Sequence, residues 1–290
     1  MTLPMPDHLV ASAVADGHGE WLTTLPVIVA SLAEQWRLEV GPPFQPGGRT
    51  AWVAPARRGD GTDAVLKVAW RHDEAVHEAD GLRVWDGAGA VRLVERAEPD
   101  DATSALLLER CAPGTALSER PAAEQDEVIA SLLPRLWVEP PIGHPFRSLQ
   151  QMCDAWADGF ERRTIDERGL LDAGLAREGI ALLRALPGSA DRRVLLCNDL
   201  HAGNVLAAER ERWLVIDPKP YVGDPAYDVV QHLLNCPGRL HADPLGLVSR
   251  MAGLLDLHPS RVRAWLFARC VQESPTWPGL AEVAARVSPG

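Results

Sequence analysis

The pattern of apolar residues changes abruptly near residue 111, and this change constrains the fold more than any other feature. Over residues 36–109, short apolar segments alternate with glycine- and proline-containing turn signals, which is typical of an antiparallel β-sheet. Beyond the break at residues 111–114, the spacing over 124–184 is mostly helical. We therefore predict an α+β chain with a small β-rich N-lobe over residues 1–110 and a larger, mainly helical C-lobe over residues 111–290.

Within the N-lobe, apolar residues spaced three and four apart predict an N-terminal helix over residues 21–36. A main helix is predicted over about residues 73–86. The predicted strands are short, and they lie at 38–40, 51–54, 64–70, 91–95 and 105–109, with two more in the C-lobe at 194–197 and 213–216. Helices are predicted again from residue 225 onward.

The charge balance limits the possible partners. Forty acidic residues against 29 basic ones give a net charge of −11, which argues against nucleic acid as the main partner. An acidic surface suits a cationic small molecule, although it also serves solubility alone. Five widely spaced cysteines without a CxxC motif predict neither a disulfide framework nor a zinc site. Because no signal peptide or membrane span is visible, we expect a cytoplasmic protein. We also expect a monomer or a weak dimer.

Polar residues between the two predicted C-lobe strands carry the strongest chemical signal. Asp199 and Asn204 flank four residues, and Asp217 follows at the end of an apolar strand. Phosphoryl transfer from ATP requires these side chains, because an Asp orients the accepting hydroxyl while an Asn and a second Asp supply oxygen ligands to Mg²⁺. The spacing matches the kinase catalytic loop. The alternative is a polar loop that only caps helices.

A single lysine in the N-lobe is a candidate for binding the phosphates of ATP. Lys67 is the only lysine before position 219 and lies in an otherwise apolar strand, where an ammonium requires a partner anion. Glu78 lies eleven residues later on the apolar side of the predicted helix, and Glu74 is its rival. A buried Lys–Glu pair holds the phosphates of ATP in kinases, and the spacing favours Glu78.

A glycine-containing loop precedes the predicted strand at 51–54. Gly47 and Gly48 with Thr50 could bring the backbone close to a phosphate. A hairpin turn would use the same glycines without any ligand, so this signal depends on its position one strand before Lys67.

These motifs together resemble the aminoglycoside phosphotransferase family, which is related to the protein kinases, and in particular its streptomycin and hydroxyurea phosphotransferase branch. The resemblance runs from about residue 44 to about 235. The segments that carry it are His77-Glu78-Ala79, Leu106 through Arg110, Asp199 through Leu206, Trp213 through Lys219, and Gly223 through Asp228. It implies a protein-kinase-like bilobal fold and an enzyme that phosphorylates a small molecule.

The resemblance also implies roles for the site residues. Asp199 would be the catalytic base, Asn204 and Asp217 would hold Mg²⁺, and Lys67 would hold the phosphates of ATP. Glu109 to Cys111 would offer backbone hydrogen bonds to adenine. Asp228 is expected to be a buried structural acid that holds the catalytic loop through backbone amides.

One departure from the family pattern concerns the residues before the base. Cys197-Asn198 replaces the usual His-Gly or similar pair, which could perturb the loop backbone. His201 suggests a metal ligand, but with no second histidine nearby a structural role in the loop is favoured. Lys219 either contacts the transferred phosphate or is an ordinary solvated lysine.

Acidic side chains on a C-lobe helix are a further candidate for contacting the acceptor, although an ordinary charged helix face is favoured. They are Asp154, Asp158, Glu161, Asp166 and Glu167. Our main prediction is an ATP- and Mg²⁺-dependent phosphotransferase acting on a hydroxyl of a cationic or polyhydroxylated antibiotic, as in streptomycin resistance. The alternatives are a kinase for hydroxyurea or another metabolite, and a degenerate kinase fold that binds nucleotide without turnover.

Overall fold

An antiparallel five-stranded sheet with strand order β1-β2-β3-β5-β4 organises the first part of the computed structural model. The strands are β1 (Leu38–Val40), β2 (Ala51–Arg58), β3 (Asp63–Trp70), β4 (Leu93–Asp100) and β5 (Thr103–Glu109). Strand β3 lies at the centre, and Lys67 pairs in register with Val53 on one side and Leu106 on the other. Because β3 is covered on both faces, nearly all of its side chains are buried.

The structure describes residues 3–73, 75–164 and 171–289. The chain divides into two compact units. The first comprises the described residues up to Gly114 together with Ala207–Leu214, and the second comprises Thr115–Leu206 and the described residues from Val215 onward.

Three helices accompany the sheet of the first unit: α1 (Asp7–Ala15), α2 (Gly19–Gln35) and α3 (Glu78–Trp85). The apolar stripe of α2 packs into the same core as the sheet, as predicted, and Pro26 does not interrupt the helix. Helix α1 was not predicted, since no side chain caps its N-terminus. Helix α3 is shorter than the predicted helix over 73–86. Backbone hydrogen bonds from Ala75 to His72 and from Glu78 to Ala75 form turns before it begins.

The second unit is mainly helical. Its helices are α4 (Ala122–Leu136), α5 (Leu149–Thr164), α6 (Ala173–Ala185), α7 (Pro225–Leu234), α8 (Pro237–Ala242), α9 (Pro244–Leu255), α10 (Pro259–Glu273) and α11 (Gly279–Val287). Helices α7 to α10 each begin with a proline, which is favoured at a first helical position and cannot continue a preceding helix. Helix α10 lies partly in the core, with no exposure of Trp265, Phe267 or Cys270.

Four three-residue strands frame the polar loop of the second half: β6 (Val194–Leu196), β7 (Val205–Ala207), β8 (Trp213–Val215) and β9 (Tyr221–Gly223). Strand β6 pairs with β9, and β7 pairs with β8. Strands β6 and β8 were predicted, whereas β7 and β9 were not. In the described part of the chain, no helix has the length and apolarity required to cross a membrane.

Candidate active site

The buried lysine of the first unit forms an ion pair with the predicted glutamate. Lys67 Nζ lies 2.7 Å from Oε1 and 2.6 Å from Oε2 of Glu78, the first residue of α3. Only 8% of Lys67 and 3% of Glu78 is exposed, so each charge compensates the desolvation of the other. The rival Glu74 lies outside the described residues.

The glycine-containing loop before β2 contacts the N-terminal segment. Gly47 adopts a φ of +80°, and a Cβ at this position would lie 2.4 Å from Cβ of Pro6. Arg49 Nε donates to Ser12 Oγ of α1 at 3.4 Å. This packing is sufficient to require a glycine at 47, so the phosphate contact expected of Gly47, Gly48 and Thr50 stays a prediction.

At the end of β5, the side chain of Glu109 is held by an arginine that sequence reasoning missed. Arg210, between β7 and β8, donates to both carboxylate oxygens of Glu109 at 2.7 and 2.9 Å. The Glu109 backbone N–H donates to Arg92 O at 2.9 Å. Burial raises the pKa of Cys111 to about 11, so its thiol is neutral near pH 7. Any contact of Cys111 with a nucleotide would therefore use its backbone, as the family resemblance implies.

In the second unit, three side chains donate to the carboxylate of Asp199. Lys219 Nζ lies 3.0 Å from Oδ2, and Asn204 Nδ2 donates to the same oxygen at 3.4 Å. Gln231 Nε2, from α7, donates to Oδ1 at 3.3 Å. The loop thus brings Asp199 and Asn204 together, as their spacing predicted, while Gln231 was missed because it lies 32 residues away on a different element. This carboxylate is oriented and can accept a proton from a bound hydroxyl.

The loop that carries Asp199 is anchored by a buried carboxylate. Asp228 accepts hydrogen bonds from the backbone N–H groups of Cys197 at 3.0 Å and Asn198 at 2.6 Å, and from Trp137 Nε1 at 3.1 Å. Burial raises the pKa of Asp228 to about 6, and the three donors oppose that shift. The predicted structural role of Asp228 is confirmed.

The two residues that depart from the family pattern fit this geometry. Asn198 has a φ of 59°, in the left-handed region that glycine adopts most easily and that asparagine tolerates better than most other residues. Asn198 can therefore keep the turn that a glycine would make. Cys197 is fully buried, and burial raises the pKa of its thiol well above the ordinary value, which makes it unreactive.

His201 has a structural role in the loop. Its Nδ1 accepts a hydrogen bond from the backbone N–H of Gly203 at 3.1 Å and caps a short 3₁₀ turn. Burial lowers the pKa of His201, so the ring is neutral near pH 7. Across the described residues, no group of three or more His, Cys, Asp or Glu side chains is arranged to hold a metal ion.

Asp217 follows β8 with a φ of 54°, a strained conformation of the kind found at functional sites. Backbone hydrogen bonds from Ile216 to Asn204 and from Lys219 to Cys197, both 2.9 Å, join its turn to the catalytic loop. The Asn204 amide nitrogen also donates to the Asp199 carbonyl at 3.0 Å, which directs the amide oxygen away from that contact. An amide oxygen and a carboxylate are the ligand types that Mg²⁺ prefers, so these residues fit a magnesium ion.

A cavity of about 680 Å³ lies next to the catalytic loop in the second unit. It is lined by Gln231, Leu234, Asn235, Pro237, His241, Arg269, Glu273, Trp277, Pro278, Gly279 and Leu280. Gln231 links this cavity to Asp199, since it donates to the carboxylate and also forms part of the wall. Glu273 supplies an acidic group, with one oxygen 2.9 Å from Arg269 Nη2. A second cavity, of about 340 Å³, lies in the first unit and is lined by none of the predicted site residues.

The acidic side chains on α5 form an ordinary charged surface. Asp158 and Glu161 both pair with Arg184 of α6 at 2.8 Å. Asp154 accepts a hydrogen bond from Gln150 at 3.0 Å. Asp166 and Glu167 lie outside the described residues. The helix-face interpretation therefore holds for the described acids.

Comparison with known proteins identifies the family of the chain. The family model for aminoglycoside/hydroxyurea antibiotic resistance kinases matches residues 36–279. The chain is 40% identical over 261 residues to hydroxyurea phosphotransferase of Kitasatospora aureofaciens, covering 87% of this chain and 73% of that protein. It is 34% identical over 284 residues to streptomycin 6-kinase of Streptomyces glaucescens, covering 93% of this chain and 89% of that protein.

Solved structures show a similar fold. Aminoglycoside phosphotransferase APH(4)-Ia, in a ternary complex with ADP and hygromycin B, superposes with a TM-score of 0.62 at 17% identity, covering 90% of this chain and 98% of that one. The predicted α+β, protein-kinase-like fold is thereby confirmed. From the extent of the family match and the identity to two curated relatives, the chain belongs to the aminoglycoside/hydroxyurea antibiotic resistance kinase family, whose members are small-molecule phosphotransferases.

Proposed function

We propose that this protein transfers the γ-phosphoryl group of ATP to a hydroxyl group of an aminoglycoside-type antibiotic of the streptomycin kind, with Mg²⁺ as cofactor. The observation that carries the proposal is the Asp199 carboxylate, which is held by Asn204, Lys219 and Gln231, and whose partner Gln231 lines a large cavity. An oriented carboxylate beside a cavity is the arrangement that hydroxyl activation requires.

In this proposal Asp199 is the base. It accepts a hydrogen bond from the acceptor hydroxyl, directs the oxygen at the γ-phosphorus and takes up the proton during transfer. The hydrogen bonds from Asn204 and Gln231 fix the carboxylate in one orientation, which reduces the entropic part of the barrier. The anchoring of the loop by Asp228 serves the same purpose.

In this proposal, side chains and backbone groups of the first unit bind the nucleotide. Lys67, oriented by Glu78, neutralises the α- and β-phosphates. Gly47, Gly48 and Thr50 approach the phosphates through the backbone, while the Glu109 carbonyl and the Cys111 N–H bind adenine. Since the Glu109 N–H already donates to Arg92, only its carbonyl is assigned a contact with the base. Solved structures of aminoglycoside phosphotransferase APH(4)-Ia contain ADP or AMP-PNP, which supports nucleotide use here.

Asn204 and Asp217 hold the magnesium ion through their side-chain oxygens. When bound, Mg²⁺ neutralises phosphate charge and orients the phosphates for transfer. The backbone hydrogen bonds between the Asp217 turn and the catalytic loop keep the two ligands at a fixed separation.

The cavity beside Asp199 is the proposed acceptor site. Its volume of about 680 Å³ falls within the range of roughly 300–1,000 Å³ that holds drug-sized ligands. Gln231, Asn235 and Glu273 supply hydrogen-bonding groups for hydroxyls, and the Glu273 carboxylate suits a cationic substituent. The side chain of Trp277, 64% exposed, offers a flat apolar surface for a sugar ring.

Hydroxyurea is the second candidate acceptor, because 40% identity to a hydroxyurea phosphotransferase favours it. This molecule has only a handful of heavy atoms and would leave most of the cavity filled with water. The cavity volume therefore favours the larger acceptor. The left-handed Asn198 argues against a degenerate kinase, since the loop geometry is retained.

The test is transfer of labelled phosphate from [γ-³²P]ATP to a panel of acceptors: streptomycin, other aminoglycosides, cyclic-peptide antibiotics and hydroxyurea. We expect label on streptomycin, dependence on Mg²⁺, and no transfer above background by the Asp199→Asn variant. Transfer to hydroxyurea alone would replace the proposed acceptor. No transfer to any hydroxyl compound, with ADP still formed slowly, would indicate a nucleotide hydrolase.

A further inference from the structure

The chain uses lysine at only two positions. Lys67 and Lys219 are the two lysines among its 29 basic residues, and the others are arginine. Each lysine lies within 3.0 Å of a carboxylate that the proposed function places in the site: Lys67 with Glu78, and Lys219 with Asp199. In a chain so rich in arginine, these two exceptions indicate positions where a compact ammonium is required rather than a planar guanidinium.

The position of Lys219 is determined by the backbone. Its N–H donates to the carbonyl of Cys197 at 2.9 Å, so the residue is fixed against the loop that carries the base. Only Pro218 separates it from Asp217 in the same turn. The side chain of Lys219 is 25% exposed and that of Asp199 is 15% exposed, so reactants can reach this ion pair. An ion pair that only stabilised the fold would gain little at such a position.

We propose that Lys219 is a catalytic residue, which contacts the transferred phosphoryl group and neutralises its charge in the transition state. This inference rests on the proposed function. It assigns to Lys219 a contact with the γ-phosphate, while Lys67 contacts the α- and β-phosphates.

Distances within the reaction support the contact. An acceptor oxygen lies about 2.6–3.2 Å from the base that takes its proton. The acceptor oxygen and the γ-phosphorus are about 3–3.5 Å apart before transfer. The γ-phosphoryl group is therefore separated from the Asp199 carboxylate only by the acceptor oxygen. Lys219 Nζ is 3.0 Å from that carboxylate and is carried on a flexible four-carbon chain, which spans the remaining distance.

The charge balance of the step explains why an ammonium is useful there. The acceptor oxygen forms a bond to the γ-phosphorus, and the bond from phosphorus to the β–γ bridging oxygen breaks with its electron pair leaving on ADP. The acceptor proton passes to Asp199, which becomes neutral. Lys219 then loses its counter-charge and interacts with the phosphoryl oxygens instead, which stabilises them during transfer.

Lysine footprinting tests the contact directly, because only two lysines and the chain's amino terminus react with acetic anhydride. Labelling rates at each lysine are measured by mass spectrometry without nucleotide, with Mg-ADP and with Mg-AMP-PNP. Because Lys67 is buried and ion-paired, binding of each nucleotide is measured by calorimetric titration. We expect both nucleotides to bind, and only AMP-PNP to slow labelling of Lys219, by about tenfold. Equal labelling of Lys219 with bound ADP and bound AMP-PNP would overturn the inference and leave the proposed function intact. Binding of neither nucleotide would overturn both.

Variants supply the second test. Lys219→Met should lower kcat with streptomycin by about 100-fold, the usual effect of removing one transition-state donor. Its affinity for Mg-AMP-PNP should fall about tenfold, whereas its affinity for Mg-ADP should not change. Lys219→Arg should retain more activity than Lys219→Met, because it keeps the charge.

Arg120→Met is the matched control, since it removes an exposed ion pair with Glu124 in the same unit. It should leave all three quantities unchanged. If Lys219→Met weakened ADP and AMP-PNP binding equally, or lowered only the melting temperature, Lys219 would be a structural residue.

Discussion

The two units hold their charged site residues in different ways. In the first, Lys67 and Glu78 form an ion pair in which both side chains are almost fully buried. In the second, Asp199 is partly exposed and receives hydrogen bonds from a loop, a turn and a helix. The two buried side chains hold each other in place, because separating them would remove the charge that compensates the burial of each. The Asp199 carboxylate remains partly exposed, as the proposed role of a base requires.

The largest effect should come from removing the base. Asp199→Asn keeps the shape of the side chain and its ability to accept a hydrogen bond, but it cannot take up a proton. We expect kcat to fall by about two to four orders of magnitude, with little change in the dissociation constant of Mg-ATP. Steady-state kinetics and calorimetric titration measure the two quantities. A variant with full activity would exclude Asp199 as the base.

Breaking the buried pair should affect stability as well as nucleotide binding. Lys67→Met leaves the Glu78 carboxylate buried without its counter-charge, which should lower the free energy of unfolding by about 3–5 kcal/mol. Adding Glu78→Gln should recover part of this stability but none of the Mg-ATP affinity. Denaturant unfolding of the wild type, both single variants and the double variant measures the coupling. Additive effects on stability would show that the pair is not coupled.

The contrast between the units also explains what the sequence could predict. Lys67 and Glu78 lie on adjacent regular elements, so an apolar strand and a helical face were sufficient to identify them. The contacts of Glu109 with Arg210 and of Asp199 with Gln231 join residues 101 and 32 positions apart. Such contacts depend on tertiary packing, which no local pattern records.

The same reasoning applies to the elements. Long segments with clear periodicity, such as α2 and β3, were predicted with nearly correct bounds. Helix α1 lacks a capping side chain and was missed. Strands β7 and β9 were also missed, although β6 and β8, which have the same length, were predicted. For the catalytic loop, motif spacing succeeded because Asp199 and Asn204 belong to a single turn of chain.

The left-handed turn at Asn198 should be a smaller determinant of activity. Asn198→Ala places an alanine at a φ of 59°, which should cost about 1–2 kcal/mol of stability and displace the loop. Asn198→Gly should keep the turn and most of the activity, and it serves as the matched control. Thermal unfolding and kcat are the measurements. Equal behaviour of the two variants would show that the backbone conformation does not constrain this position.

The smallest effect should be a pH dependence that is independent of the reaction. Burial lowers the pKa of His232, but its contacts with Asp126, 2.9 Å away, and with Cys236 raise it to about 9. A pKa raised on folding contributes stability that is complete below the unfolded value near 6.5 and is lost as the pH rises through about 9. Unfolding free energies between pH 6 and 9.5 should therefore decline for the wild type. His232→Gln should flatten this decline, and an unchanged slope would contradict the assignment.

The most direct test of the account is ³¹P NMR of the wild-type protein with ATP, Mg²⁺ and streptomycin. We predict a phosphomonoester resonance that grows in step with the resonances of ADP, and that is absent from a parallel sample of Asp199→Asn. Growth of inorganic phosphate in place of the phosphomonoester, or equal product from the wild type and Asp199→Asn, would contradict the claim that Asp199 activates an acceptor hydroxyl.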